Sequence, residues 1–386
     1  MYKVTNEEIF LFPVSFYGVY GYIDKKGKMI VPPQFDNAGE FSEGFATVSI
    51  DGKWGYINEK GKVVTELLFD RANSFDEGLG AVNIGGYFDE AGSFVGGKWG
   101  YVNKLGKTVI QPMFDAKWFF CEGLADVKLA DKWGNIDTTG TVVIEPLFEQ
   151  KDTFKEGLAG VRVGDKWGYI NTLGQIIIEP VFNDVDRFSE NMANVQLGEK
   201  WGYTNKTGQM AIEPRFEDAQ WFRDGLAGVQ LGGKWGYIDK KGQMAIEPCF
   251  DKVGLFSEGV AWVTVGNKTG LIDKNGKIET GLLFDEVISF YEGLAAVQIN
   301  GKWGYINRNS QVVIELKYDR TFRFREGLAN VKVDKKWGYI DKMGKMVVRP
   351  RYDRVSLYCN SLAQVFIGEK WGYIDTNGKC IWKPTI

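Results

Sequence analysis

Tryptophan–glycine pairs recur along this chain at a fixed interval, and that interval limits the fold more than any other feature. Trp99, Trp133, Trp167, Trp201 and Trp235 each stand 34 residues from the next (133 − 99 = 34). After Thr269-Gly270 the series resumes at Trp303, Trp337 and Trp371. Trp54 precedes Trp99 by 45 residues, which places an insert of 11 residues in that unit (45 − 34 = 11). Tyr20-Gly21 stands one period before Trp54 and reads as a degenerate first copy. Eleven copies of 34 residues plus the insert account for 385 of the 386 positions. Fixed-period self-similarity marks a repeat architecture in which each unit buries its apolar face against its neighbours. Length alone would suggest two or three domains. The period replaces that expectation with a single array over residues 1–386, with 1–19 as a divergent N-terminal unit or cap and 381–386 as the C-terminal end.

The unit is built from strands. In one copy the recurring residues are Trp167, Tyr169, Asn171, Gly174, Pro180, Phe182, Phe188 and Val195. Helical repeats also use this period, but eight of the 10 prolines share one phase: Pro33, Pro112, Pro146, Pro180, Pro214, Pro248, Pro350 and Pro384. Together with several glycines per unit they leave no stretch long enough for a helix. Short alternating runs bounded by turn residues indicate strands instead. Leu-Ala-x-Val is one strand. A Gly-containing pair turns it into Lys-Trp-Gly-Tyr-Ile. An Asp-x-x-Gly turn, as in Asp239 to Gly242, leads to a third strand that proline ends. Phe-Asp-x-Val-x-x-Phe is a candidate fourth strand. The glycine after tryptophan lets a neighbouring backbone approach closely. The recurring glutamate (Glu43, Glu77, Glu122, Glu156, Glu258, Glu292, Glu326) satisfies turn amides or pairs with the recurring lysine.

Lys-Trp-Gly-Tyr-Ile-Asp…Gly…Pro-x-Phe…Phe-x-Glu-Gly-Leu-Ala-x-Val resembles the signature of the WG-repeat (KWG-repeat) family of bacterial proteins, over essentially the whole chain. The resemblance implies a β-rich repeat without general enzymatic activity. The departures are Tyr20 for Trp, Asn135 for Tyr, Thr269-Gly270-Leu271 for Trp-Gly-Tyr, and the insert before Lys98. Thr269 is expected to loosen its unit, and Tyr20 fits a terminal cap. Such a tandem all-β array is either an open twisted solenoid or superhelix, or a closed propeller-like ring. Eleven blades exceed the usual four to eight of propellers, which favours the open form. Its edges need protection, and residues 8–19 and 381–386 are the candidates.

Composition excludes several functions. The net charge of -3 lacks the basic footprint of a nucleic-acid binder. No apolar run approaches the length of a membrane span. The N-terminus has no basic-then-apolar leader, so the cytoplasm is the default expectation, with a processed secreted form left open. Cys121, Cys249, Cys359 and Cys380 follow no period and no CxxC spacing, and read as reduced thiols. The chain has no histidine, which removes the commonest general base and metal ligand. No phosphate loop of the Gly-x-x-x-x-Gly-Lys type occurs. No enzyme, cofactor or metal is expected.

Regular phases build the core, so function is sought where the template breaks. The insert, residues 86–96, carries Tyr87, Phe88 and Phe94, either as a hairpin packed on its own unit or as an interaction loop. Arg320, Arg323, Arg325, Arg349, Arg351 and Arg354 form a basic cluster in an acidic chain, suited to an acidic partner unless Asp319, Glu326 and Asp353 neutralise it. Trp118, Trp221 and Trp262 fall outside the Trp-Gly phase, as core filling or as exposed contacts. Together these point to a non-catalytic scaffold that binds a protein through an extended surface. The second reading, carbohydrate or cell-envelope binding, requires exposed aromatics at regular spacing.

Overall fold

The computed structural model describes residues 10–278, 281 and 283–383, and every regular element among them is a strand. The strands form eleven separate antiparallel sheets in chain order, one per repeat; we call them blades 1 to 11. Blade 6 shows the plan. Its strands are Asp184–Val185, Met192–Leu197, Lys200–Asn205 and Met210–Phe216, hydrogen-bonded in that order. The second strand buries Met192 to Val195 in succession, because small Ala193 and Asn194 let both faces be covered by neighbouring blades. Gln196 faces Trp201 across one hairpin, and Trp201 faces Phe216 across the next.

Two strand boundaries differ from those expected. Proline does not end a strand: Pro214 lies inside Met210–Phe216. The strand is the outer edge of its sheet and register shifts interrupt its pairing, so the missing amide costs no ladder bond. The Asp-x-Val run does not extend the sheet before it. It is the two-residue first strand of the following blade, Asp184 and Val185 pairing with Gln196 and Val195. The glycine after tryptophan behaves as expected: a Cβ on Gly202 would lie 2.5 Å from the carbonyl oxygen of Ile212 on the adjoining strand.

Each core cluster joins two blades. Met192, Tyr203, Ile212 and Phe216 of blade 6 pack with Ala219, Phe222, Ala227, Val229 and Ile238 of blade 7. Buried tyrosine hydroxyls staple successive blades: Tyr169 donates to the carbonyl of Asp186 at 2.7 Å, Tyr203 to Gln220 at 2.8 Å and Tyr237 to Gly254 at 2.7 Å. The recurring glutamate satisfies turn amides as expected, but its ion pair is with a different lysine. Glu156 accepts the amides of Glu190 and Asn191 in the next blade, at 2.7 and 3.0 Å, and pairs with Lys206 in a turn at 3.2 Å, whereas the lysine before tryptophan pairs with an aspartate, as Lys234 does with Asp251 at 2.5 Å.

The same inter-blade contact decides between open and closed. At most junctions an Asp- or Asn-x-x-Gly turn seats on an aliphatic side chain of the blade before. A Cβ on Gly174 would lie 3.3 Å from Ile144, and one on Gly208 3.3 Å from Ile178. The first blade makes this contact with the last: a Cβ on Gly27 would lie 3.2 Å from the Ile381 side chain. Val14 and Ile23 of blade 1 share a core with Leu362 and Tyr373 of blade 11, and Phe16 meets Trp382 edge-on at 4.7 Å. The array is therefore a closed eleven-bladed propeller ring, not the favoured open solenoid. Residues 11–16 and 380–382 do not cap edges. Leu11–Phe16 is the second strand of blade 1 and Cys380–Trp382 the fourth of blade 11, so the seam is an ordinary junction. Residues 1–9 and 384–386 lie outside the described residues. Eight of the sheets have four strands and three have three among the described residues. With sheets packing about 10 Å apart and strands about 4.8 Å apart, a ring of eleven leaves a central opening roughly 20 Å wide between backbones.

Thr269 does not loosen its unit through exposure. It is buried, with its hydroxyl 3.1 Å from that of Thr264. Among the described residues blade 8 shows isolated bridges at Thr269–Phe284 and Ile272–Ile278, the same kind that blade 2, which keeps Trp54, shows at Trp54–Phe69 and Ile57–Val63.

Candidate functional site

Asn135 is the one described position between Tyr22 and Tyr237 where the stapling tyrosine is lost, and the consequences assemble a site. Asparagine is too short to reach the carbonyl of residue 152. Lys151, at a phase held by Lys117 in the blade before and by Val185, Ala219 and Val253 in the blades after, takes the place of the missing hydroxyl: its Nζ donates to the Asp152 carbonyl at 2.8 Å. The ammonium is wholly buried and needs a counter-charge. Asp126 supplies it at 2.5 Å, at a phase held by Gly160, Asn194 and Gly228 in later blades. Asn135 Nδ2 donates to the same carboxylate oxygen at 2.6 Å. Burial lowers the Lys151 pKa, and Asp126 opposes that shift.

Beside this pair lies an open cavity of about 680 Å³, lined by Trp118, Asp126, Trp133, Lys151, Asp152, Trp167, Asp186, Arg187 and Trp221 among others. These residues come from blades 4, 5, 6 and 7, mostly from the first strands and the segments that follow them. A cavity shared by four consecutive blades lies on the concave side, so the first strands edge the ring's opening. A second cavity at the same edge draws its lining from blades 1 to 4, with Tyr20, Trp54, Arg71 and Phe119. Within the larger one, Arg187 lies 4.3 Å over the Trp221 ring. Asp186 accepts the Arg187 amide at 2.8 Å. The Asp152 carboxylate accepts no hydrogen bond among the described residues. Burial, then the neighbouring Asp186, pushes its pKa up to about 6.

Trp118, 55% exposed, and Trp221 were singled out separately in the sequence, and the fold brings both to this cavity. Trp262 lies elsewhere, beside Gly254 and Tyr291. The insert extends a hairpin until Phe88 pairs with Phe94. Phe94 packs on Trp99 of its own blade at 6.1 Å, and Arg71 inserts between Trp54, Phe88 and Phe94. Tyr87, at 63% exposure, projects from it.

The six arginines do not form one patch. Arg320, Arg323, Arg325 and Arg354 lie on or beside first strands, whereas Arg349 and Arg351 lie on a fourth strand, the opposite edge of the sheet. Arg320 and Arg354 turn toward rings of their own blades, Phe322 at 5.7 Å and Phe366 at 4.3 Å. The carboxylates expected to neutralise them are engaged otherwise: Asp319 with Lys302, Asp353 with Lys336, and Glu326 with the Ser361 amide.

A model of the WG containing repeat matches ten segments between residues 20 and 371: 20–54, 54–88, then eight more from 99–133 to 337–371. The chain belongs to the WG containing repeat family. No curated protein matches it. Among solved structures, this WG-repeat chain is similar to a eukaryotic initiation factor at 12% identity, covering 88% of this chain and 94% of that one, with a TM-score of 0.45. It is also similar to PorZ, a surface component of the type-IX secretion system of Porphyromonas gingivalis, at 9% identity, covering 92% and 52%, with a TM-score of 0.26. A third is the dihydro-heme d1 dehydrogenase NirN, at 11% identity, covering 64% and 69%, with a TM-score of 0.34. Asp126, Lys151, Asp152, Asp186 and Arg187 escaped the sequence reading. A partial signal was present for two of them: Lys151 stands where Val185, Ala219 and Val253 stand in later units, and Asp126 where Gly160 and Gly228 stand. Asp152, Asp186 and Arg187 fall at phases where polar residues are common, so they carry no such signal.

Proposed function

We propose that this WG-repeat ring is a non-catalytic scaffold that holds a protein partner against its concave face. The observation that carries this reading is the convergence of template-breaking residues from four consecutive blades on one cavity at the ring's inner edge. Charge also separates around the opening. Carboxylates gather in blades 4 to 6, and arginines without described ion pairs lie across the ring in blades 10 and 11. A ligand that meets both sides of a roughly 20 Å opening is macromolecular. Affinity capture from lysate of the source cell tests it, comparing the wild type with Trp167→Ala and with the Arg320→Ala/Arg323→Ala/Arg354→Ala triple variant. The expected result is one protein that both variants lose and that rebinds when purified. Equal retention by all three chains defeats the reading.

A carbohydrate ligand is favoured by the exposure of Trp118 beside half-buried Trp133 and Trp167 in one cavity. Against it, the Trp-Gly tryptophans are no regular exposed ladder: Trp303 and Trp337 are buried, at 6% and 9%. Saturable binding of an oligosaccharide with no protein retained would select this second reading.

A further inference from the structure

We propose that the blade 4–7 cavity receives a cationic side chain, an arginine guanidinium or lysine ammonium, presented by the partner polypeptide. This rests on the protein-binding reading and names what the partner inserts.

The chain sets its own precedent. In several blades a cation from the same molecule lies over the Trp-Gly tryptophan: Arg71 over Trp54 at 5.3 Å, Lys117 over Trp99 at 5.5 Å and Lys332 over Trp337 at 5.7 Å. Arg71 stands 17 residues after its tryptophan and Lys117 stands 18 after its own (71 − 54; 117 − 99). The equivalents of Arg71 and Lys117 at Trp167 are Asp184 and Val185; the equivalent of Lys332 is Arg162, whose guanidinium donates to Gln150 Oε1 at 3.2 Å, with no cation–π contact to Trp167 among the described residues. The place that a basic side chain fills in blades 2 and 3 is here bordered by carboxylates instead.

The cavity's own positive charges are committed elsewhere. Lys151 is held by Asp126 and the Asp152 carbonyl, and Arg187 lies on Trp221. Asp152 and Asp186 remain without a cation in hydrogen-bond contact. A partly buried carboxylate that accepts no hydrogen bond, as at Asp152, is unfavourable even with the Lys151 charge nearby. A ligand bringing both positive charge and N–H donors relieves it, and the tryptophan faces add cation–π attraction. An anion would be repelled by Asp152 and Asp186. A neutral polyol brings donors but no charge.

Titrating the full chain with acetyl-Gly-Arg-Gly-amide, read by tryptophan fluorescence and calorimetry, tests this. Acetyl-Gly-citrulline-Gly-amide serves as the uncharged isostere. Saturable quenching by the arginine peptide is expected, with at least tenfold weaker binding of the citrulline peptide. Asp152→Asn and Trp167→Leu should each weaken the arginine peptide by about tenfold or more, with circular dichroism confirming that both fold. Met343→Ala, at an exposed turn of blade 10, should leave it unchanged. Equal binding of both peptides overturns the proposal, as does unchanged affinity in Asp152→Asn, or saturation by chitohexaose without saturation by the arginine peptide. The two readings fail separately. A partner lost by Trp167→Ala with no peptide discrimination removes the cation and keeps the scaffold. Charge-selective peptide binding with no protein captured removes the scaffold and keeps the cation site.

Discussion

Replacing Lys151 with valine, the residue at its phase in blade 6, should destabilise blades 4 and 5 far more than an aliphatic swap suggests. The Lys151 side chain is 0% exposed and that of Asp126 is 6% exposed. Lys151→Val leaves a buried carboxylate with one amide donor, Asn135 Nδ2, and leaves the Asp152 carbonyl without its donor. Removing one partner of a buried ion pair costs about 3–5 kcal/mol. The cost should vanish when the whole unit reverts to template. Combining Asp126→Gly, Asn135→Tyr and Lys151→Val removes both charges and restores the ring. Its hydroxyl should reach the Asp152 carbonyl as Tyr169 reaches that of Asp186, at 2.7 Å. Replacing a buried pair by well-packed apolar groups is often neutral or stabilising, so the triple variant should recover to within about 1 kcal/mol of wild type. Hydrogen exchange at the amides of residues 124–137 and 158–171 measures this locally, which suits an array whose repeats open separately. A single variant costing under about 1 kcal/mol, or a triple no more stable than the single, would refute the compensation argument.

Asp152 should make stability fall as pH rises. Its folded pKa, about 6, exceeds the ordinary 3.8. The folded chain therefore holds its proton longer than the unfolded chain, and stability is lost between about pH 4 and pH 6. At about 1.36 kcal/mol per pKa unit the shift corresponds to about 3 kcal/mol, which the open cavity's solvent reduces to roughly 2. Asp152→Asn should match wild type near pH 3.5 and exceed it above pH 6. Equal urea midpoints for the two chains at pH 7 would contradict this. At the seam, Gly27→Val places a side chain against the Ile381 carbonyl at a φ of +85. Small-angle scattering should then show a larger radius of gyration, and an unchanged radius would count against a strained closure.

What the sequence disclosed follows from what repeats within it. Trp, Tyr, Gly and Phe at fixed phases act through nearest neighbours, so their strands, turns and inter-blade roles were readable from one unit. Closure was not, because a ring of eleven needs about 33° of rotation per blade, and a few degrees' change at each junction would open it into a superhelix. No single residue encodes that angle; the evidence is that Gly27 meets Ile381 as Gly174 meets Ile144. The cavity was half legible for a related reason. Trp118 and Trp221 announced themselves as rare residues out of phase, and Asn135 as a lost tyrosine. Lys151 and Asp126, 25 residues apart, read as ordinary surface charges until the curvature of four blades buried them together. One lost tyrosine thus accounts for a buried ion pair, and the cavity opens beside that pair. Asp152 stands there without a donor, although three of its neighbours have found partners within the chain.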